Sequence, residues 1–181
     1  MPMHPSTAVL AAIAIAACGG QARGPEGAKL PDVTASASLV DTAGARVGVA
    51  SFSEADGSTQ LGVSVTGLEP GEHGMHIHET GSCTPPSFES AGGHFNPASK
   101  QHGLLNPEGP HAGDMPNLVV EADGSADTTF TVSPSLLAQG PGSMIGTEKR
   151  AFVIHADPDD QKTDPSGNSG ARVVCGVIER R

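Results

Sequence analysis

The sequence predicts an all-β domain, a β-sandwich or a small barrel, that extends from about residue 32 to the C-terminus. Eight short segments are rich in β-branched residues or alternate between apolar and polar side chains, which is typical of strands. Turn signals rich in Gly, Pro and Asp separate them, and no stretch has the periodicity of a long amphipathic helix. Eight such strands favour two packed sheets or one closed sheet. The predicted strands are 33–40, 46–52, 61–66, 75–78, 117–121, 127–132, 151–155 and 171–178.

The first four predicted strands differ in how clearly they alternate. Segments 33–40 (VTASASLV) and 46–52 (RVGVASF) contain β-branched residues and alternate loosely, whereas 61–66 (LGVSVT) alternates cleanly. The fourth segment, 75–78, reads Met-His-Ile-His. Because successive side chains on a strand point to opposite faces, its two histidines share one face and its isoleucine points to the other.

The last four predicted strands form two pairs along the chain. Segments 117–121 (NLVVE) and 127–132 (DTTFTV) flank Asp123-Gly124, a dipeptide that predicts a hairpin turn. Segments 151–155 (AFVIH) and 171–178 (ARVVCGVI) are more apolar, and each contains a residue with candidate chemistry.

Two long segments interrupt the predicted strands. Residues 80–115 and 156–170 are polar and rich in Gly and Pro. Loops of this length are uncommon in a compact domain unless they are functional or disordered. Since the first of them contains three of the histidines, we expect both to be functional loops.

Composition and charge exclude several classes of function. The 181-residue chain has no Trp, no Tyr and only five Phe, which argues against a helical bundle and against a protein that stacks nucleic-acid bases. With 20 Asp and Glu against 10 Lys and Arg, the formal net charge is −10, so that no nucleic-acid partner is expected. Histidine, in contrast to the aromatic residues, is abundant, because the chain contains eight.

Residues 1–18 predict a signal peptide. The apolar stretch 8–17 (AVLAAIAIAA) is too short for a transmembrane helix, which needs about 20 residues, but it suits the hydrophobic region of a signal. The small residues before Cys18 resemble the lipobox of bacterial lipoproteins, in which that cysteine is lipidated and becomes the mature N-terminus. The alternative is a plain secretory signal cleaved near Ala17, with Cys18 incidental.

Residues 19–31 (GGQARGPEGAKLP) predict a flexible tether, because they combine Gly, Pro and mixed charge without apolar periodicity. A segment of this length spans roughly 20 Å, enough to hold a domain clear of a membrane surface. The expected location is therefore the periplasmic face of a membrane, through a lipid on Cys18. If Cys18 is not lipidated, the protein is expected to be periplasmic or secreted.

The histidines have the spacing of metal ligands. His76 and His78 lie two residues apart on a predicted strand, so both imidazoles can reach one ion. The first long loop contains a second group of candidate ligands, His94, His102, His111 and Asp114. Three nitrogens and one carboxylate oxygen fit a closed tetrahedral zinc site. With His155 at the end of another strand, six histidines and one aspartate form a set that chance does not explain.

These residues and their surroundings resemble the copper/zinc superoxide dismutases, and in particular their exported bacterial branch. The resemblance covers about residues 35–178 and implies an eight-stranded Greek-key β-barrel, an immunoglobulin-like sandwich with two long functional loops. The matching stretches are GEHGMHIHE (71–79), GGHFNP (92–97), HG (102–103), HAGD (111–114), FVIH (152–155) and GNSGARVVCGVI (167–178).

The resemblance implies two metal sites that share one ligand. The copper ligands are then His76, His78, His94 and His155. The zinc ligands are then His94, His102, His111 and Asp114. The imidazole of His94 bridges the two ions in its deprotonated form and carries a proton during the reaction. Asp159 matches the carboxylate that links a copper histidine to a zinc histidine, here His76 and His102.

Further roles follow from the same resemblance. Arg172 matches the arginine beside the open copper position, and Lys162 lies in the loop that guides the superoxide anion. Cys83 and Cys175 match the intradomain disulfide, whereas His73 matches a structural position. The eighth histidine, His4, lies in the signal segment and needs no role.

The implied activity is the disproportionation of superoxide to O₂ and H₂O₂ by cycling between Cu(II) and Cu(I), beside a structural zinc. Two other classes of function remain open from the sequence. One is a non-enzymatic copper-binding lipoprotein, and the other is a structural β-sandwich, which leaves the histidines unexplained. The resemblance is compatible with a monomer or a homodimer.

Overall fold

Nine β-strands make up the regular structure of the computed structural model, which describes Met1 and residues 33–132, 136–137, 143–146 and 148–181. The strands are β1 (Val33–Asp41), β2 (Arg46–Ala55), β3 (Ser58–Thr66), β4 (Gly71–His73), β5 (Met75–His78), β6 (Leu118–Val120), β7 (Ser125–Val132), β8 (Ala151–His155) and β9 (Arg172–Arg180). A single 3₁₀ turn, Glu89–Ala91, is the one helical element of the described chain. The predicted all-β class is confirmed.

Seven strands form one antiparallel sheet in the order β5-β8-β9-β1-β2-β3-β7, and β4 pairs with β6. Only Gly74 separates β4 from β5, and a turn at 121–124 leads from β6 into β7. Both edges of the seven-stranded sheet therefore continue into strands that pair with each other, and the sheet closes into a barrel. The links from β3 to β4 and from β7 to β8 join strands that are not neighbours, as in a Greek key.

The predicted strands are all present, and one short strand was missed. When β4 and β5 are taken as one bent strand, the barrel has the expected eight. The predicted hairpin turn at Asp123-Gly124 is present, with the Glu121 amide donating to the Ser125 carbonyl at 2.8 Å. Strand β4 escaped prediction because Gly71, Glu72 and His73 lack apolar alternation, and its pairing with β6 depends on a segment more than 40 residues away.

The barrel core is filled by small and medium apolar side chains. Alternate residues of β1 to β3 point inward, and Phe52 of β2 meets Phe152 of β8 edge-on, with ring centroids 6.2 Å apart. A smaller cluster lies outside this core, beneath the first long loop, and consists of Phe88, Ala91, Ala151, Val153 and Cys175. This cluster packs the loop against β8 and β9 and so fixes the position of the loop relative to these strands.

The predicted signal peptide (1–18) and tether (19–31) lie outside the described residues and stay predictions. Among the residues that are described, no helix is long and apolar enough to cross a membrane.

Candidate metal centre

Strand β5 supplies the first two candidate ligands. Ile77 points into the barrel core, and His76 and His78 point to the other side, as the alternation predicts. Both histidines are fully buried, because the two long loops cover them. A buried pair of imidazoles on one strand face needs polar partners, so the loops must provide them.

The first long loop, 79–117, is hydrogen-bonded directly onto β5. The Phe95 amide donates to the Ile77 carbonyl at 2.8 Å, and the Ile77 amide donates to the Gly113 carbonyl at 2.9 Å. Gly113 lies so close to the Ile77 backbone that a Cβ atom would collide with it. These bonds place His94 beside His78 and Asp114 beside His76, which explains how distant residues converge.

Four imidazoles converge on one point from three parts of the chain. They belong to His76, His78, His94 and His155, and one ring nitrogen of each lies within 4.8 Å of the others. In each ring one buried nitrogen has no hydrogen-bond partner: Nδ1 of His76, and Nε2 of His78, His94 and His155. Buried polar atoms without partners are rare in proteins. Four converging imidazoles, each with one unpartnered nitrogen, fit a copper ion, for which imidazole is a suitable ligand.

The other nitrogen of each of three rings is held by a fixed acceptor. His78 Nδ1 donates to the Gly92 carbonyl at 2.9 Å, and His155 Nδ1 donates to the Gly170 carbonyl at 3.2 Å. His76 Nε2 lies 2.6 Å from the carboxylate of Asp159. These acceptors fix the tautomer and orient each free lone pair toward the shared point.

A second group surrounds one oxygen of Asp114. The Nδ1 atoms of His94, His102 and His111 lie 3.0, 3.1 and 3.3 Å from Asp114 Oδ1. In a tetrahedral zinc site with bonds of about 2.0–2.1 Å, neighbouring ligand atoms are about 3.3 Å apart, which the three distances from Asp114 Oδ1 approach. The second carboxylate oxygen accepts the amides of Gly103 and His111 at 2.8 and 2.9 Å, which orients the carboxylate.

His111 stands at the rim of this group. Ligand atoms of His94, His102 and Asp114 lie within 4.8 Å of one another together with a ring nitrogen of His76. The ring centroid of His111 is 5.5 Å from that of His94 and 5.4 Å from that of His102. Its Nδ1 is nevertheless buried and without a hydrogen bond, which leaves it available to an ion.

Asp159 joins the two groups. Its carboxylate lies 2.6 Å from His76 Nε2 and 3.0 Å from His102 Nε2. The chain passes directly over this link at Gly167, where a side chain would collide with the carboxylate and where φ is +62°. The structure thus brings Asp159 to the two histidines that the sequence resemblance named.

Burial keeps most of the imidazoles neutral. Burial lowers the pKa of His76 to about 4, that of His78 to about 2 and that of His155 to about 3. The pKa of His94 is also lowered, again chiefly by burial. Neutral imidazole binds a metal through its free nitrogen, so His76, His78 and His155 need not lose a proton to do so at neutral pH, whereas His94 would lose its remaining ring proton to bind two ions.

His102 behaves differently because two carboxylates face it. Burial alone would lower its pKa, but hydrogen bonds to Asp114 and Asp159 outweigh burial and raise the pKa to about 9. Burial would raise the pKa of both carboxyls, whereas the hydrogen bonds from the histidines hold both well below their usual range. Asp114 and Asp159 are therefore anionic and can balance part of the charge of two bound metal cations.

Arg172, at the start of β9, lies beside the four-imidazole group. Its Nη1 donates to the Phe88 carbonyl and its Nη2 to the Gly92 carbonyl, each at 2.7 Å. The Gly92 carbonyl also accepts from His78, so one backbone oxygen ties the guanidinium to a candidate copper ligand. Lys162 is exposed on the second long loop, 156–171, where its backbone is bonded to Asp160 and Asn106.

Cys83 and Cys175 form a disulfide, as the resemblance implied, with Cα atoms 5.6 Å apart. His73 is buried, and its ring nitrogens lie 2.7 Å from the His155 carbonyl and 2.8 Å from the Glu69 carbonyl. These contacts join β4 to the end of β8, which agrees with a structural role. The predicted lipidation site, Cys18, lies outside the described residues.

Two residues near the site were missed at the level of sequence. Asn117 and Gln161 both hold Asp159, the first through its side chain and the second through its backbone amide. No sequence signal distinguishes them from ordinary polar loop residues, because their role depends on which carboxylate the fold brings to them.

Comparison with known proteins agrees with this geometry. The family model for copper/zinc superoxide dismutase matches residues 46–178. The chain is 46% identical over 149 residues to copper/zinc superoxide dismutase 2 of Aquifex aeolicus. The alignment covers 81% of this chain and 87% of that protein.

Solved structures give the same answer. A superoxide dismutase-like protein from Bacillus subtilis matches with a TM-score of 0.74 and 44% identity, covering 78% of this chain and 96% of that one. The Cu/Zn superoxide dismutase from Brucella abortus matches with a TM-score of 0.66 and 34% identity, covering 80% and 98%. The chain belongs to the copper/zinc superoxide dismutase family, enzymes that convert superoxide to O₂ and H₂O₂ with copper and zinc as cofactors.

Proposed function

We propose that superoxide reacts at a copper ion held by four imidazoles, beside a zinc ion that shares one of them. The copper ligands are His76, His78, His94 and His155, and the zinc ligands are His94, His102, His111 and Asp114. Bound copper supplies the alternation between Cu(II) and Cu(I), and bound zinc supplies a charge without redox chemistry. The convergence of four buried, unpartnered ring nitrogens carries this proposal.

His94 has the geometry of a shared ligand. The ring belongs to the four-imidazole group and its Nε2 has no hydrogen-bond partner, whereas its Nδ1 lies 3.0 Å from Asp114 Oδ1 in the second group. One ring thus offers a nitrogen to each side. We assign a proton-carrying role to Nε2 of His94. When no metal occupies it, this nitrogen can take up a proton and transfer it to the peroxide product.

Arg172 and Lys162 serve the substrate rather than the metals. Superoxide is a small anion, and the net charge of −10 repels it, so attraction depends on the local field at the site. Two N–H groups of Arg172 are occupied by the Phe88 and Gly92 carbonyls, and a guanidinium has five. The remaining donors can hold an anion in a fixed orientation. Exposed Lys162 adds positive charge on the second long loop.

Metal content and activity test the proposal together. The full chain, dialysed after loading with copper and zinc, is expected to retain one of each per chain and to remove superoxide. Elemental analysis and a superoxide assay on the same sample provide the two measurements. Retention of both metals without activity would favour the non-enzymatic copper-binding class, and retention of neither would contradict the ligand assignment.

We further propose that the protein is exported and anchored to the periplasmic face of a membrane through a lipid on Cys18. The apolar stretch 8–17 and the small residues before Cys18 support this, and the tether 19–31 gives the domain its distance from the surface. A lipid anchor would concentrate the enzyme where superoxide reaches that membrane.

Labelling of cells with a fatty-acid analogue tests the anchor. The wild-type chain is expected to carry the label, and the Cys18→Ala variant is expected to lose it and to appear in the soluble fraction. Absence of label on the wild type, or unchanged label on Cys18→Ala, would leave the plain secretory signal as the explanation.

A further inference from the structure

The side chain of Asn117 binds both the C=O and the N–H of the Asp159 backbone. Its Nδ2 donates to the Asp159 carbonyl at 3.0 Å, and its Oδ1 accepts the Asp159 amide at 3.0 Å. A primary amide offers both a donor and an acceptor, so one side chain can bind the C=O and the N–H of the same residue. The match is therefore specific to asparagine at this position, and aspartate would keep only the acceptor.

Because of the position of Asn117, these two hydrogen bonds link the two long loops. Asn117 lies at the end of the first loop, three residues after Asp114 and immediately before β6. Asp159 lies in the second loop, four residues after His155. The two hydrogen bonds thus join the segment that supplies the zinc carboxylate to the segment that carries the linking carboxylate.

The backbone that Asn117 holds belongs to a carboxylate that contacts one histidine of each metal group. Asp159 reaches His76 Nε2 at 2.6 Å and His102 Nε2 at 3.0 Å. The Gln161 backbone amide also donates to this carboxylate, at 2.6 Å, and helps to orient it. Since Asp159 is buried, a small rotation of its backbone would withdraw it from both rings at once.

We propose that Asn117 is a positioning residue that slows the release of both metals by fixing Asp159 between His76 and His102. This inference deepens the proposed function and rests on its assignment of those two histidines as ligands. Groups that orient metal ligands in this way change metal affinity by about 10- to 100-fold when they are removed. Asn117 acts one contact further out, through a backbone, so we expect the lower end of that range.

The rate at which zinc passes from the loaded protein to a chromogenic chelator tests the proposal. The Asn117→Ala variant is expected to release zinc about tenfold faster than wild type. Asn117→Asp keeps the acceptor but sets a carboxylate oxygen against the Asp159 carbonyl, so it is also expected to release zinc faster than wild type. The Cu(II) EPR spectrum of Asn117→Ala is expected to change shape, because the ring of His76 loses its fixed orientation.

Two control variants separate positioning from a loss of general stability. Glu72→Gln alters only the outer, exposed contact of the Asn117 amide at 3.4 Å, and zinc release is expected to stay at the wild-type rate. Thr59→Val removes the acceptor of the buried Leu136 amide, remote from the metals, and is expected to lower the melting temperature without accelerating zinc release.

The outcomes are distinguishable from one another. Zinc release from Asn117→Ala at the wild-type rate, or equal acceleration in Thr59→Val, would overturn the positioning role. Should Asn117→Ala fail to fold, the comparison of Asn117→Asp with Thr59→Val decides the same point. A wild-type protein that retains no zinc would instead overturn the ligand assignment on which the inference rests.

Discussion

The Cys83→Ser variant is expected to unfold at a temperature roughly 10 to 20 °C below that of the wild type. The disulfide between Cys83 and Cys175 closes a segment with a sequence separation of 92 residues. In the chain-entropy view, a loop of this size stabilises the folded state by about 4–5 kcal/mol.

Cys83 is the better of the two positions for this test. Cys175 is fully buried beside Phe88, Ala91 and Val153, so Cys175→Ser also places a hydroxyl in an apolar cluster. Cys83 lies at the edge of that cluster, and Cys83→Ser leaves the buried thiol of Cys175 in place. We therefore expect Cys175→Ser to lose more stability than Cys83→Ser, since it adds the cost of a buried polar group to the loss of the bridge.

Calorimetry of the metal-free protein provides the measurement. Reduction of the wild type with a thiol is expected to reproduce the melting temperature of Cys83→Ser, and the same reductant is expected to leave the variant unchanged. An unaltered melting temperature in Cys83→Ser would refute the role of the disulfide. Metal retention is expected to weaken as well, because the released loop contains Gly92, whose carbonyl orients His78.

Much of this site is predictable because its ligands lie on simple elements. Alternation along β5 alone places His76 and His78 on one face and Ile77 in the core, and the structure agrees. The length and polarity of the two long loops, together with the histidines in the first, predict that they are functional without any knowledge of the barrel. Where a ligand depends on local periodicity or spacing, the sequence is sufficient.

Other parts depend on contacts between distant segments and leave no local signal. Which nitrogen of each ring is free is decided by acceptors such as the Gly92 and Gly170 carbonyls, and these arrive from elsewhere in the chain. Asn117 gives no signal for the same reason, because its partner Asp159 lies 42 residues away. Strand β4 also has no local sequence signal, since it forms through pairing with β6.

Arg172 illustrates the boundary between these two cases. Its place beside the metals follows from the family resemblance, but its hold on the loop does not. Because Nη1 and Nη2 bind the Phe88 and Gly92 carbonyls, the guanidinium and the disulfide fasten the same loop to β9. A simple truncation of Arg172 therefore alters both the charge at the site and the support of the loop.

The Arg172→Ala variant is expected to lose superoxide dismutase activity by about 10- to 100-fold, the range that follows from hydrogen bonds to a charged group. Copper and zinc are expected to remain bound, because Arg172 is not among the candidate ligands and the Cys83–Cys175 disulfide still fastens the loop to β9. The activity of the wild type is expected to fall as salt is added, since screening weakens the attraction of an anion. In Arg172→Ala this dependence is expected to be weaker.

Two further variants separate the charge of Arg172 from its support of the loop. Arg172→Lys keeps a cation but loses the planar fork, and Arg172→Gln keeps a hydrogen-bond donor for one carbonyl but loses the charge. If the charge guides superoxide, Arg172→Lys retains more activity than Arg172→Gln and keeps the salt dependence. If support of the loop is the larger effect, the activities of both variants follow their melting temperatures instead of their charge. Full activity of Arg172→Ala at low salt would exclude both roles, because neither the charge nor the loop contact survives in that variant.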